Sequence, residues 1–138
     1  MTQPTLEIVT AVICDDAGRM MVVRKRGTAI FMKPGGKREP GEDDLTALAR
    51  ELDEELGCRL IEARLLGQFS APAANEPSFT VRSTTYLARV AGPIAPRAEI
   101  VELAWIDPAE PGDRPLAALL RGVLTSLLVA KPAPLRET

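Results

Sequence analysis

The sequence predicts a mixed α/β domain, a sheet carrying one helix on each face, and three observations predict it. Apolar and polar residues alternate with period two on both sides of "DDAG", and strand-like stretches return later in the chain. A leucine stripe at helical spacing begins after Asp43 and stops at Gly57. A second stripe, Leu116, Leu119, Leu120, Val123 and Leu127, lies near the end. With 138 residues the chain fits a single domain, residues 1–138, long enough to bury a core.

The elements follow in order. "LEIVTAVICDDAGRMMVVRKRG" reads as a hairpin, with strands near residues 5 to 14 and 19 to 26 joined by the turn residues of "DDAG". "GTAIFMKPGGKREPG" is dense in glycine and proline and reads as loop. Asp43 can cap the helix that follows, and Leu45, Leu48, Ala49, Leu52 and Leu56 form its apolar stripe. Gly57 ends it. Further strands are expected near 59 to 70, 79 to 91 and 100 to 106, with "SAPAANEPS" as a surface loop between the first two. The last helix is expected near 114 to 130, and the tail "KPAPLRET" should fray.

Composition excludes several functions. A formal charge of −2 leaves no basic footprint for a nucleic-acid polymer, so a phosphate-bearing partner should be a small molecule. The apolar run "IVTAVIC" is too short to cross a bilayer and no basic segment precedes it, so a cytoplasmic protein with no membrane partner is expected. Histidine is absent, which removes His-based triads and the usual zinc sites and leaves carboxylates as the plentiful metal ligands. Cys14 and Cys58 have no metal or redox spacing and are expected as buried small side chains.

The stretch "RELDEELGC" crowds acid onto one helix. At about 100° per residue Glu51, Glu54 and Glu55 share a face centred about 120° from the leucine stripe, so they flank the core without entering it. A solvated helix face would interleave lysine or arginine four residues away, because like charges at that spacing are unfavourable. Only Arg50 is near, and the projection points it to the side. A divalent cation would remove the repulsion, and hard oxygen ligands suit Mg²⁺ or Mn²⁺. Gly35 and Gly36, just before the helix, let backbone approach a ligand closely. "PGGKREPG" lacks the P-loop spacing, which argues against ATP-driven work.

Gly36, five residues, Glu42, seven residues, then Arg50, Glu51, Leu52, Asp53, Glu54, Glu55, Leu56, Gly57 and Cys58 resemble the Nudix box, G-x5-E-x7-R-E-U-x-E-E-x-G-U, where U is bulky and apolar. Cys58 is the soft match. The resemblance implies an α/β/α sandwich with a mixed sheet between two helices, and hydrolysis of a nucleoside diphosphate linked to another group. It also implies that Glu51, Glu54 and Glu55 are metal ligands, with the carbonyl of Gly35 or Gly36 as a further one. Arg50 would orient a box glutamate and Glu42 would anchor the loop against the helix. Some family members take the general base from outside the box, and Glu99 and Glu102 are this chain's candidates, with Glu99 a further metal ligand.

Arg24, Lys25 and Arg26 leave the second strand toward the glycine loop, and Arg26 matches a position at which MutT-like members contact the nucleotide. Phe31, Phe79, Tyr86 and Trp105 are expected chiefly in the core, with stacking on a base as the alternative. A nucleoside or deoxynucleoside triphosphate is the favoured substrate, with Asn75 and Glu76 as contacts for base or ribose. ADP-ribose or another nucleotide sugar is the competitor, since Pro72 lies near the spacing at which ADP-ribose hydrolases carry a proline. A catalytically silent sensor or protein-binding module is the remaining alternative, disfavoured because no box carboxylate is missing. The chain is expected to act as a monomer or homodimer.

Overall fold

The computed structural model describes residues 4–73 and 78–130, with side chains through residue 125. Asn75 and Glu76 lie outside the described residues, as does the side chain of Leu127. The order is β1 (Thr5–Val12), β2 (Met20–Lys25), β3 (Phe31–Met32), β4 (Gly35–Lys37), α1 (Asp44–Leu56), β5 (Arg59–Pro72), β6 (Thr80–Ala91), β7 (Ile100–Ile106) and α2 (Ala118–Ala130). The strands form two sheets, ordered β4-β1-β6-β5 and β3-β2-β7.

The expected hairpin forms only at its tip. The turn closes with Asp15 N–H donating to Arg19 O at 2.9 Å, and Met21 N–H donates to Ile13 O at 2.8 Å. Beyond that β1 and β2 part into different sheets. β1 runs parallel to β6, from Thr5 opposite Thr80 to Val12 opposite Leu87, and antiparallel to β4 on its other side. With both edges of β1 engaged, β2 pairs instead with β3 and β7. The glycine–proline segment, expected as loop throughout, contributes the two short strands β3 and β4.

Alternation along the strands sorts the core into two layers. Val9, Ala11, Met21 and Val23 meet Leu48, Leu52 and Leu56 of α1, while Val12, Met20, Val22 and Ile106 meet Leu120, Val123 and Leu124 of α2. Both sheets feed both clusters, so they lie side by side as one split layer between two helices: an α/β/α sandwich.

The helix boundaries have local causes. Asp43 accepts from Thr46 N–H at 2.8 Å, which caps α1, and Gly57 closes it in the left-handed region at φ 70°. The stripe is displaced from the expected one, since Leu45 is 44% exposed and Ala47, outside the expected set, is buried. α2 starts at Ala118 and not near 114. The preceding backbone is spent on β3, with Phe31 N–H donating to Pro115 O at 2.8 Å and Ala117 N–H donating to Phe31 O at 2.9 Å. Leu116 is therefore buried ahead of the helix and Leu119 is only half-buried. Cys58 is buried as expected, but Cys14 is exposed, because it sits where β1 has ended and the turn begins.

Candidate active site

The acidic face of α1 lies against β4 at the edge of the larger sheet, and two glycines make that approach possible. A Cβ on Gly35 would stand 2.1 Å from Val9 O, and its φ of 139° is one that side chains rarely adopt. A Cβ on Gly36 would fall 2.6 Å from the carboxyl carbon of Glu51. Neither position accepts any other residue without displacing the strand or the carboxylate.

Arg50 does not point aside, as the helical projection suggests; it is the hub of the site. Its Nε and Nη2 donate to the two carboxylate oxygens of Glu42, each at 2.8 Å, in a bidentate fork. Nη1 donates to Glu51 Oε2 at 2.9 Å and reaches Glu54 Oε1 at 3.4 Å, and Nη2 also donates to Lys37 O at 2.9 Å. The long side chain reaches where the Cβ direction alone does not. Glu42 further accepts Glu39 N–H at 2.7 Å. The Arg50 fork, followed by that backbone bond, holds the Glu42 carboxyl down at about 2. Hydrogen bonding to Glu42 in turn pushes the Arg50 guanidinium further up.

Glu55 is the opposite case. It is 8% exposed, so one of the three glutamates is buried and not merely beside the core. Its Oε1 accepts Gly35 N–H at 3.0 Å. Burial is the main cause that pushes its carboxyl up to about 7, with the charges of Glu51 and Glu54 adding to it and Lys25 opposing. Glu51 is half-buried and Glu54 is exposed.

These residues fit a divalent cation by their chemistry. Among the described residues no three side chains close into a metal cage, but Mg²⁺ takes one or two carboxylates and completes its shell with substrate phosphates and water. Glu51 and Glu54 each meet Arg50 through a single oxygen, and Glu55 meets Gly35 through one. Each therefore has a second hard oxygen to offer, beside a backbone that only glycine allows. Burial, with the charges of Glu51 and Glu54 adding to it, drives the Glu55 carboxyl up to about 7, and a cation beside it would favour its charged form.

The remaining candidates separate. Glu102 is engaged, with Arg24 Nε 2.8 Å from its Oε1, which argues against it as an outside base. Glu99 is 77% exposed, with Lys25 Nζ 4.0 Å away, and Lys25 is the cation that acts on Glu55. Arg26 is exposed and makes no ion pair among the described residues, while its N–H donates to Glu99 O at 2.8 Å. Phe31 is buried under α2 and Trp105 packs on the α1 side, on the face opposite Glu102. Tyr86 donates to Asp44 Oδ2 at 2.9 Å, and Phe79 is half-buried.

Sequence reasoning missed Lys33. It is buried, and desolvation brings its ammonium down to about 7. Nζ donates to Thr85 Oγ1 at 3.2 Å, within a buried hydroxyl group of Thr10, Ser83 and Thr85. The available signal was a single lysine set in the apolar run "AIFMKP".

An α/β/α sandwich with a carboxylate site on its first helix, against a glycine strand, defines the class. The NUDIX domain profile matches residues 4–127, and the chain belongs to the Nudix family as a Nudix pyrophosphohydrolase. Members of this family act on small nucleotide derivatives and generally use divalent cations. The chain is similar to the MutT NUDIX hydrolase from Burkholderia pseudomallei, at 25% identity and a TM-score of 0.79, over 89% of this chain and 98% of that one. It is similar to a NUDIX hydrolase from Nitrosomonas europaea at 25% identity, TM-score 0.75 and 97% of each chain. The MutT protein from Methanosarcina mazei Go1 shares the fold at TM-score 0.80 and 20% identity, over 96% of this chain and 99% of that one. No curated protein matches the chain. Among the described residues no helix is long and apolar enough to cross a membrane.

Proposed function

We propose that the chain hydrolyses a nucleoside or deoxynucleoside triphosphate to the monophosphate and pyrophosphate, with Mg²⁺, or Mn²⁺ in its place. The observation that carries this reading is the meeting of carboxylates and glycine backbone at β4, where Gly35 N–H lies 3.0 Å from Glu55 and Gly36 abuts Glu51. When bound, the ion neutralises diphosphate charge and acidifies water. Glu51, Glu54, Glu55 and the Gly36 carbonyl would hold it, with Glu99 as the outside carboxylate. Arg50 orients Glu51 and Glu54, and Glu42 holds Arg50 in place. One glutamate of the set takes the proton from the attacking water.

Arg26, exposed at the end of β2, meets phosphate oxygens. Asn75 and Glu76 contact base or ribose. The protein works as a single cytoplasmic domain, monomeric or homodimeric. The test is kcat/KM for a panel of triphosphates against ADP-ribose at the same Mg²⁺ concentration. A preference for triphosphates is expected; a preference of more than about tenfold for ADP-ribose would overturn the substrate and leave the metal chemistry standing.

A further inference from the structure

Lys33 has a use that the carboxylate chemistry does not give it. Its side chain is 5% exposed. Among the described residues it has no carboxylate partner: Nζ donates once, to Thr85 Oγ1 at 3.2 Å, and lies 5.7 Å from the centre of the Phe69 ring. An ammonium has three donors. Thr85 Oγ1 also contacts Thr10 and Ser83, at 3.2 and 3.1 Å, so the hydroxyl group is largely committed to itself. A buried amine so thinly paired either gives up its proton or needs a further acceptor, and in both forms it has donors left to offer.

Space for that partner adjoins it. Lys33 lines a cavity of about 120 Å³ between the larger sheet and the start of α2, with Ile8, Met32, Pro72, Val81 and Leu120 among its walls. Sites for whole drug-sized ligands run from about 300 Å³ upward, so this one suits a single ring system. The walls are apolar and would strand the many hydroxyls of a sugar, whereas a flat heterocycle has two apolar faces to lay against them and polar groups only at its edge, where Lys33 stands. A short backbone link joins the cavity to the glutamates. Gly35, which donates to Glu55 at 3.0 Å, is two residues beyond Lys33, and two residues of chain reach about 7 Å at most.

Resting on the nucleotide reading above, we propose that Lys33 determines base specificity: Nζ donates to a ring carbonyl oxygen of the bound base, favouring guanine, uracil, thymine and cytosine nucleotides over those of adenine. Adenine has no carbonyl oxygen and presents an amino donor where guanine presents O6. It would set donor against donor and leave the ammonium unpaired, and sites built around one hydrogen bond reject analogues that cannot make it.

The test compares kcat/KM for GTP, UTP and ATP with Mg²⁺, and calorimetric binding of GMP, UMP and AMP, in the wild type, Lys33→Met and Lys33→Gln. The wild type should prefer GTP and UTP over ATP by at least about tenfold, as expected for a hydrogen bond from a charged donor. Lys33→Met should bring that ratio to within about threefold of unity, and Lys33→Gln, which keeps a donor, should fall between. Equal rates on all three in the wild type, or a Lys33→Met loss that is the same for every base, would overturn the proposal. If no triphosphate is hydrolysed, the triphosphate reading fails by itself, and the monophosphates decide: a GMP-over-AMP preference abolished in Lys33→Met supports the role of Lys33, and its absence refutes it. Should Lys33→Met not fold, the same comparison in Lys33→Gln decides between the two outcomes.

Discussion

Two glutamates of one motif have been pushed in opposite directions by their surroundings. Glu42, in the loop before α1, is gripped by both arms of the Arg50 guanidinium, and its carboxyl is held down at about 2. Glu55, at the far end of the helix, is buried on Gly35 N–H beside two like charges, and its carboxyl is raised to about 7. Glu42 is satisfied by the protein alone. Glu55 is less well served: burial disfavours its charged form, and a cation would favour it. The difference separates structure from chemistry within one short segment: the Glu42–Arg50 end fixes the loop to the helix, and the Glu55 end is where the proposed ion would bind.

The largest way to break the comparison is to undock the helix that carries both ends. Leu52 is fully buried between α1 and the sheet. Leu52→Ala should cost about 2–5 kcal/mol of unfolding free energy in denaturant titrations, with activity lost through unfolding. A variant that melts like the wild type would contradict the helix phase on which the carboxylate placement depends.

Next comes Glu55→Gln. It should lower kcat by about 100-fold or more under saturating Mg²⁺. Its effect on the ion-free protein has the reverse sign. The folded carboxyl titrates at about 7 against 4.5 in the unfolded chain, so stability is complete below pH 4.5, falls as pH rises toward 7, and is level beyond. That displacement corresponds to about 3 kcal/mol at most, which the glutamine would restore at pH 8 and not at pH 4. Thermal melts of both proteins across this range check the sign, and equal pH profiles would remove the claim that Glu55 is strained.

Glu42→Gln should act in the other direction and less strongly. A depressed carboxyl contributes its full stability above the unfolded value of 4.5 and loses it as pH falls through about 2. The variant should therefore have a lower Tm than wild type at pH 7, and the gap should close in that acid window. A gap independent of pH would show that packing, and not the ion pair with Arg50, is what Glu42 supplies.

What the sequence made legible was local. Strands near 59 to 70 and 79 to 91 were readable because the helix stop at Gly57 and the loop segment "SAPAANEPS" bound them locally, and they appear as Arg59–Pro72 and Thr80–Ala91. Asp43 and Gly57 bound α1 by side-chain and backbone rules that act within a few residues. The split into two sheets was not legible, since nothing near residues 5 to 14 says that Thr10 will lie between Gly35 and Thr85. The reach of Arg50 was hidden because a helical projection fixes where a side chain leaves and not how far a guanidinium extends. Lys33 gave little sign of its burial because that burial is made by Thr85 and Phe69, distant in the chain.

The central claim is that the Glu55 end holds the ion and the Glu42 end does not. Mn²⁺ binding, followed by electron paramagnetic resonance on wild type, Glu55→Gln and Glu42→Gln at pH 8, tests it most directly. Glu55→Gln should weaken Mn²⁺ by at least about tenfold, while Glu42→Gln should stay within about threefold of wild type at a temperature where it is folded. Equal weakening in both variants, or undiminished binding in Glu55→Gln, would contradict it.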